Sequence, residues 1–243
     1  MCSLIVLRGL DRAFPLFVAA NRDERTDRAA APPAIWRGER RRLLSPRDQR
    51  AGGTWLAVDD VGRVAGITNV AGAPAVPTSP SRGHLPHLAL DHAELRAGVD
   101  AVLRRVDAGP HAAFQLVVAD HRSAFVVRHV GGVTSCVARD EPAIALTNEH
   151  AVGSWSPPGL AEALAPGLAA AARLDQLAAC LRDRGERGGH AVCKHGDRYG
   201  TVSSSLIAAP REDLDRLIWR YADGPPDVTP YRSYGAFAAQ LRG

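Results

Sequence analysis

The sequence predicts an α+β protein in which two blocks of β-strands are each followed by a helical block. Short apolar runs of strand length, bounded by Gly, Asp and Asn, recur over residues 3–70 and 114–147. After each block, leucine and valine recur at the spacing of an amphipathic helix. This order favours two sheets with outer helices. No internal repeat or domain linker interrupts it, so we expect one domain over residues 1–243.

The first block is expected to contain four strands and one helical region. The strands are placed at residues 3–8, 14–20, 54–59 and 63–70. Asp59-Asp60-Val61-Gly62 predicts a hairpin turn between the last two, because Asp and Gly favour tight turns. A broken or continuous helix is expected over residues 84–106. Residues 25–50 and 71–83 are expected to be loops that set substrate specificity.

The second block repeats this order. Its strands are expected at residues 114–120, 123–130, 133–138 and 143–147. A helical region covers residues 159–183 and is broken at Pro166-Gly167. Strands near 201–208 and 216–222 end the sheet region, and Gly224-Pro225-Pro226 starts an irregular tail.

Composition indicates a protein with a substantial core and no membrane span. Apolar residues make up 46% of the chain, yet no apolar stretch approaches the ~20 residues that a spanning helix needs. The opening apolar run is interrupted by Arg8 and lacks a cleavable secretory pattern. We therefore expect a cytoplasmic location.

The charge balance is mildly basic and does not indicate a nucleic-acid partner. The formal net charge is +4, and nearly all basic residues are arginine. The densest arginine group, within residues 37–50, is expected to be a solvated loop; binding of phosphate or carboxylate groups is its alternative. Little aromatic interleaving accompanies it, unlike the platforms that bind single-stranded nucleic acid. The sequence leaves the oligomeric state open.

Cys2 is the first candidate for chemistry. It opens the strand-like run Met1-Cys2-Ser3-Leu4-Ile5-Val6-Leu7, and its small side chain permits removal of Met1. One residue would then carry a thiol with an ordinary pKa of about 8.5 and an α-amine with one of about 7.7–8.0. The amine can accept the thiol proton near neutral pH, as in enzymes with an N-terminal nucleophile. The alternative is an ordinary buried cysteine in a strand.

A polar run after the second apolar strand supplies partners for Cys2. The apolar residues 16–20 end in Asn21-Arg22-Asp23-Glu24, and a hairpin of the first two strands brings Cys2 to this end. There Asp23 can orient a protonated amine, and Arg22 can lower the thiol pKa or hold an anionic substrate group. A plain polar loop explains the same residues without any chemistry.

Several blocks of the chain resemble one known family. Asn21-Arg22-Asp23-Glu24 matches the signature of the NRDE family, also called the transport and Golgi organisation protein 2 family, and Cys2 matches its Met-Cys start. The other similar blocks follow in order: Gly52-Gly53-Thr54-Trp55-Leu56, Ile67-Thr68-Asn69-Val70, Ser81-Arg82-Gly83-His84-Leu85, Phe114-Gln115-Leu116-Val117-Val118, Leu146-Thr147-Asn148 and Tyr199-Gly200-Thr201. The family usually has an arginine after Tyr-Gly-Thr, where this chain has Val202.

The resemblance implies a fold and a set of site residues. The fold would be the four-layer αββα sandwich of the N-terminal-nucleophile (Ntn) hydrolases, with two mainly antiparallel sheets between helix layers. The family is similar in arrangement to cysteine Ntn hydrolases that cleave amides such as conjugated bile salts and penicillins. By this likeness the candidate catalytic residues are Cys2, Arg22, Asp23, Asn69 and Asn148, and the candidate substrate-binding residues are Asn21, Trp55 and Thr68.

Two functions from different classes follow from the resemblance. In the first, the Cys2 thiolate attacks a non-peptide amide or a thioester, its amine passes the proton to the leaving group, and Asn69 and Asn148 donate hydrogen bonds to the oxyanion. In the second, the protein binds or carries haem, an acyl-coenzyme A or a lipid without chemistry. The plain alternative for each asparagine is a turn-forming side chain, and for Trp55 it is packing.

We expect no cofactor and no metal. His190, Cys193 and His195 are a group of ligands that a soft metal or haem iron could use, but Cys193 also fits a strand in which it simply packs. His84 and His87 share a face of the expected helix, with no acidic or cysteine partner obvious nearby. The four cysteines lack the paired spacing of zinc sites.

Overall fold

Two antiparallel sheets organise residues 2–186 and 190–242, which are the residues that this computed structural model describes. The strands are β1 (Ser3–Arg8), β2 (Leu16–Arg25), β3 (Ala30–Arg37), β4 (Arg42–Asp48), β5 (Leu56–Asp59), β6 (Val64–Asn69), β7 (Phe114–Ala119), β8 (Ala124–Val130), β9 (Val133–Ala138), β10 (Ala143–Thr147), β11 (Tyr199–Ala209), β12 (Ile218–Ala222) and β13 (Arg232–Ser233). The α-helices are α1 (Leu85–Leu90), α2 (Leu95–Asp107), α3 (Leu160–Leu164), α4 (Ala170–Arg182) and α5 (Ala238–Arg242).

The first of two compact units takes its described residues from 1–28 and 141–236. Its sheet has the strand order β10-β1-β2-β11-β12-β13, so the two strands that open the chain lie in its middle. Alternate residues of these strands, such as Ile5 and Phe17, are buried against Leu174 and Leu177 of α4. Full burial of one such side chain stabilises the fold by about 1.5–3 kcal/mol. This packing fixes the central strands that carry the candidate site.

The second unit takes its described residues from 29–140 and 237–243. Its sheet follows chain order from β3 to β9, and neighbouring strands are antiparallel. The connections are short except between β6 and β7, where residues 70–113 contain α1 and α2. Leu90 of α1 and Val99 and Val102 of α2 pack with Phe114 and Leu116 of β7. Each unit thus has one sheet and its own helix-covered core.

The expected α+β class, with two antiparallel sheets and accompanying helices, is confirmed. The helical region 84–106 is indeed broken, between Leu90 and Leu95, and Pro166-Gly167 separates α3 from α4. The hairpin turn at residues 59–62 is confirmed, with Gly62 at a φ of 81°. Among the described residues, no helix combines the length and apolar character that crossing a membrane requires. The single domain over residues 1–243 stays a prediction.

Two expected irregular regions contain regular structure. Residues 25–50 were expected to form a loop, but they contain β3 and β4, which pair from Ala30↔Asp48 to Arg37↔Arg42. The arginine group is therefore a hairpin rather than one solvated loop, and the Arg47 guanidinium packs 4.3 Å from the ring centroid of Trp36. The irregular tail expected after Gly224 contains β13 and α5.

Gly98 tests how closely α1 and α2 pack. A Cβ at this position would overlap the carbonyl oxygen of Ala89. We expect Gly98→Ala to lower the free energy of unfolding by about 1–3 kcal/mol, because the helices must move apart to admit the methyl group. Gly109→Ala is the control, since nothing lies within 4 Å of its Cβ position. Urea denaturation measures both variants, and an equal effect at the two positions would contradict this packing.

Candidate active site

Strand pairing brings Cys2 to the polar end of β2. Ser3 of β1 lies opposite Asn21, so the preceding residue reaches Arg22 and Asp23. The strand expected at residues 14–20 runs on to Arg25, because β11 pairs along its polar end. The plain-loop alternative for the polar run is therefore wrong, and its side chains are held by sheet geometry.

The sulfur of Cys2 is anchored on the main chain of Asp23. Its Sγ lies 3.3 Å from the Asp23 nitrogen, which donates a hydrogen bond to it, and 3.3 Å from the Asp23 oxygen, which accepts one. The Tyr199 hydroxyl donates to the same oxygen at 3.0 Å. On the other side, the Asn148 N–H donates to the Cys2 carbonyl at 3.1 Å. Residues from β2, from β11 and from the end of β10 thus fix the position of this cysteine.

The Asp23 carboxyl is buried beside Cys2 and is itself held in place. Only 3% of the residue is exposed, and Thr201 donates a hydrogen bond from Oγ1 to Asp23 Oδ1 at 2.7 Å. Thr201 Oγ1 in turn accepts from the Lys194 N–H at 2.9 Å. Burial raises the pKa of Asp23, and the hydrogen bond from Thr201 acts in the opposite direction. The carboxyl therefore has one fixed orientation.

The thiol of Cys2 is protonated at neutral pH in this environment. Burial and, next, the negative charge of Asp23 raise its pKa to about 11. The hydrogen bond from the Asp23 main chain and, after it, nearby positive charges that include Arg22 offset only part of this rise. Because the thiolate is the nucleophilic form, a reaction at this sulfur requires a base that takes its proton.

A β-bulge at Val202 directs neighbouring side chains of β11 to opposite faces. Thr201 lies opposite Asp23 while Ser203 lies opposite Arg22, so Val202 is the extra residue between two consecutive partners. Residues two apart in a strand normally share a face, and the bulge breaks that rule. Thr201 can thus reach the Asp23 carboxyl. Val202, where the family resemblance leads one to expect arginine, is the residue that forms the bulge.

Gly200 lets the main chain at Lys194 lie close to the start of β11. A Cβ on Gly200 would lie 2.8 Å from the Lys194 carbonyl oxygen, and the Thr201 N–H donates to that oxygen at 2.9 Å. Sequence reasoning singled out Tyr199-Gly200-Thr201 only through the family resemblance. It missed that Tyr199 and Thr201 both bind Asp23. The signal was a glycine flanked by two hydroxyl side chains at the start of a strand.

Two of the predicted asparagines lie in the first unit. The Asn21 amide nitrogen donates to the carbonyls of Leu181 and Val192, at 2.9 and 3.1 Å, and so fastens the segment after α4 to β2. The Oδ1 atoms of Asn21 and Asn148 are buried and have no hydrogen-bond partner among the described residues. The predicted roles of Asn21 in substrate binding and of Asn148 in catalysis stay predictions.

Trp55, Thr68 and Asn69 belong to the second unit. Trp55 precedes β5, and its carbonyl accepts from the Ile67 N–H at 2.9 Å. Thr68 is buried, whereas Asn69 is exposed at the end of β6. Their predicted roles in a site also stay predictions.

One group of side chains in the described parts of the chain could hold a metal ion. It consists of Cys193, His195 and Asp227. Sequence reasoning had considered Cys193 and His195 together with His190, whose ring instead lies 6.2 Å from that of His150. The segment around Cys193 is a loop, so the strand alternative is wrong. His87 is not in this group, and its Nε2 lies 2.9 Å from Ser45 Oγ.

Removal of the Thr201 hydroxyl tests the support of Asp23. We expect Thr201→Val to lower the free energy of unfolding by about 1–3 kcal/mol at pH 7, because a buried carboxylate loses its donor. Since the folded pKa of Asp23 lies above 3.8, the charged form costs stability as pH rises past that value. The loss should therefore be larger at pH 7 than at pH 4.

Thr201→Ser is the matched control, because it keeps the hydroxyl. Urea denaturation at both pH values measures each variant. A loss in Thr201→Val that does not change with pH would show that the hydroxyl does not support the carboxylate.

Comparison with known proteins agrees with this architecture. A sequence model of the family "Transport and Golgi organisation 2" matches residues 1–158. The solved structure of penicillin V acylase from Agrobacterium tumefaciens aligns with a TM-score of 0.52 and 15% identity, covering 96% of this chain and 86% of the acylase. The Caenorhabditis elegans ortholog of N-acylethanolamine-hydrolyzing acid amidase aligns with a TM-score of 0.54 and 9% identity, covering 85% of this chain and 92% of the amidase. No curated protein sequence matches the chain significantly.

At these identities the structural likeness establishes the fold alone. That fold is the Ntn-hydrolase fold, as the resemblance implied. The family match covers well over half of the chain and includes Cys2, Asn21-Arg22-Asp23 and Asn148. The chain therefore belongs to the transport and Golgi organisation 2 family and has the Ntn-hydrolase fold.

Proposed function

We propose that this protein, after removal of Met1, hydrolyses a non-peptide amide or a thioester through an acyl-Cys2 intermediate. The observation that carries the proposal is the Cys2 sulfur, held 3.3 Å from the main chain of Asp23, whose buried carboxyl lies beside it. The acylase and the amidase that share the fold are named for amide chemistry, which supports an amide as the bond cleaved.

Acylation begins with proton transfer from the thiol to the α-amine of Cys2. The sulfur attacks the substrate carbonyl carbon, a C–S bond forms, and the carbonyl oxygen becomes an oxyanion. The ammonium then gives its proton to the leaving nitrogen, or to the leaving sulfur of a thioester, and the bond to the leaving group breaks. This step releases an amine or a thiol and leaves acyl-Cys2.

Deacylation uses the same amine a second time. It takes a proton from water, and the resulting hydroxide attacks the acyl carbon. The C–S bond breaks, the sulfur recovers its proton, and a carboxylic acid leaves. One base thus serves both half-reactions, which suits a site where burial raises the pKa of the thiol to about 11 and the sulfur needs a base.

Three neighbouring residues have distinct roles in this proposal. Asp23 holds the ammonium form of the amine, and Thr201 is a positioning residue that fixes the Asp23 carboxylate. Arg22 stabilises the thiolate or binds a carboxylate of the substrate. Asn148 donates a hydrogen bond from its side chain to the oxyanion, and loss of one such donor typically costs about 10²–10³ in kcat.

The same thiol favours a second candidate function if Met1 is retained. Burial raises the pKa of the thiol to about 11, so the sulfur is protonated at pH 7 and is a poor nucleophile. The protein would then bind haem, an acyl-coenzyme A or a lipid without covalent chemistry. Removal or retention of Met1 therefore distinguishes the hydrolase from the carrier function.

Intact-mass measurement before and after incubation with a panel of amides and thioesters tests the proposal. We expect a mass without Met1 and a transient acyl adduct on Cys2, because acylation precedes hydrolysis. Cys2→Ala should lose both the adduct and the product. Cys136→Ala, which removes a half-buried cysteine of β9, is the matched control and should keep both.

Retention of Met1, or equal hydrolysis by Cys2→Ala, would contradict the proposal. A ligand that binds equally well to the parent protein and to Cys2→Ala, with no adduct on either, would favour the carrier function.

A further inference from the structure

We propose that Cys193, His195 and Asp227 form a binding site for one Zn²⁺ ion in the first unit. Cys193 Sγ lies 3.2 Å from Asp227 Oδ1 and 3.9 Å from His195 Nε2. His195 Nε2 lies 3.0 Å from the same Oδ1 of Asp227 and 2.8 Å from its Oδ2. Three donor atoms of different chemistry thus converge from two separate segments of the chain.

These separations suit a tetrahedral zinc ion. Bonds of about 2.3 Å to sulfur and about 2.0–2.1 Å to nitrogen and oxygen place adjacent ligand atoms about 3.3–3.6 Å apart. The separations among Cys193 Sγ, His195 Nε2 and Asp227 Oδ1 are 3.0, 3.2 and 3.9 Å, which lie on either side of this range. Small side-chain rotations are therefore enough to close the site around the ion.

The donor set selects zinc over the hard cations. Thiolate and imidazole are preferred by zinc and its neighbours among the transition metals, whereas magnesium and calcium take oxygen ligands. Binding would replace the thiol proton of Cys193, which passes to solvent as the sulfur–zinc bond forms.

Burial differs across the site in a way that leaves room for a fourth ligand. Cys193 is 1% exposed, while the His195 and Asp227 side chains are 35% and 13% exposed. Water can therefore complete the coordination from the histidine side. The Arg184 Nε lies 3.9 Å from Asp227 Oδ2, and this cation, whose side chain is 54% exposed, can turn into solvent when the ion binds.

The site lies at a point where a metal would fasten a loop. The Val192 carbonyl accepts from Asn21, and the Lys194 N–H donates to Thr201, so the residues on either side of Cys193 already bind β2 and β11. Asp227 lies 34 residues further along the chain. Because these segments form the site only when the chain is folded, the free energy of metal binding stabilises the fold. This inference does not depend on the proposed hydrolysis.

Metal titration of the chelator-treated full-length protein tests the site. We expect one equivalent of Zn²⁺ to bind in competition with a chromophoric chelator. Co²⁺ should give the charge-transfer absorption of a thiolate ligand. Zn²⁺ should also raise the melting temperature by roughly 5 °C at saturation.

The variants separate this site from adventitious binding. Cys193→Ser should remove the cobalt–thiolate band, and His195→Gln should weaken Zn²⁺ binding by at least about 100-fold. Cys136→Ser and His190→Gln are the matched controls and should change neither. His195 is partly exposed, so its substitution is expected to leave the fold intact and gives a result even if Cys193→Ser does not fold.

Three outcomes would overturn the inference. The first is a parent protein that takes up no Zn²⁺ in the competition assay. The second is a cobalt–thiolate band that persists in Cys193→Ser or disappears in Cys136→Ser. The third is an unchanged Zn²⁺ affinity in His195→Gln.

Discussion

The candidate site depends on the way in which one residue, Asp23, is held. Its main-chain nitrogen and oxygen both form hydrogen bonds with the Cys2 sulfur. Its side chain is buried and accepts a hydrogen bond from the Thr201 hydroxyl. Both arrangements require β2 to continue as a strand past its apolar part, which it does because β11 pairs with it. The bulge at Val202 then directs Thr201 to the carboxyl. A buried carboxylate without such a donor would cost about 1–3 kcal/mol.

Burial gives this site a thiol that is unreactive by itself. The burial that fixes the position of the sulfur also raises the thiol pKa to about 11. The well-positioned sulfur is therefore protonated and weakly nucleophilic. A free α-amine on Cys2 would resolve the conflict, because the base then arrives on the nucleophilic residue without any further side chain. Chain processing would thereby switch on the chemistry. The loop at residues 190–196 forms hydrogen bonds with two residues near the site. Its Val192 carbonyl accepts from Asn21, and its Lys194 N–H donates to Thr201.

The sequence predicted the parts of the fold in which local pattern and packing agree. Alternation and tight-turn residues located β1, β9 and β10, and leucine spacing located α2 and α4. The hairpin of β3 and β4 was missed because Pro32-Pro33 and the arginines hide its alternation, although an edge strand tolerates proline at an irregularity. Cys2, Arg22, Asp23 and Asn148 were chosen as candidates through motifs, and their roles stay predictions. Three contacts could not be read from local spacing, because their partners lie more than 30 residues apart in the chain. They are the hydrogen bonds of Tyr199 and Thr201 to Asp23 and of Asp227 to Cys193.

The alkylation rate of Cys2 as a function of pH tests the central claim most directly. It should be measured by peptide mass for the Met1-free protein and for a chain with an uncleaved N-terminal extension. We expect the Met1-free protein to react with a midpoint at least about one pH unit below that of the extended chain, since the α-amine of Cys2 then lies beside the sulfur. Identical profiles for the two forms would contradict the claim that the amine of Cys2 activates its thiol.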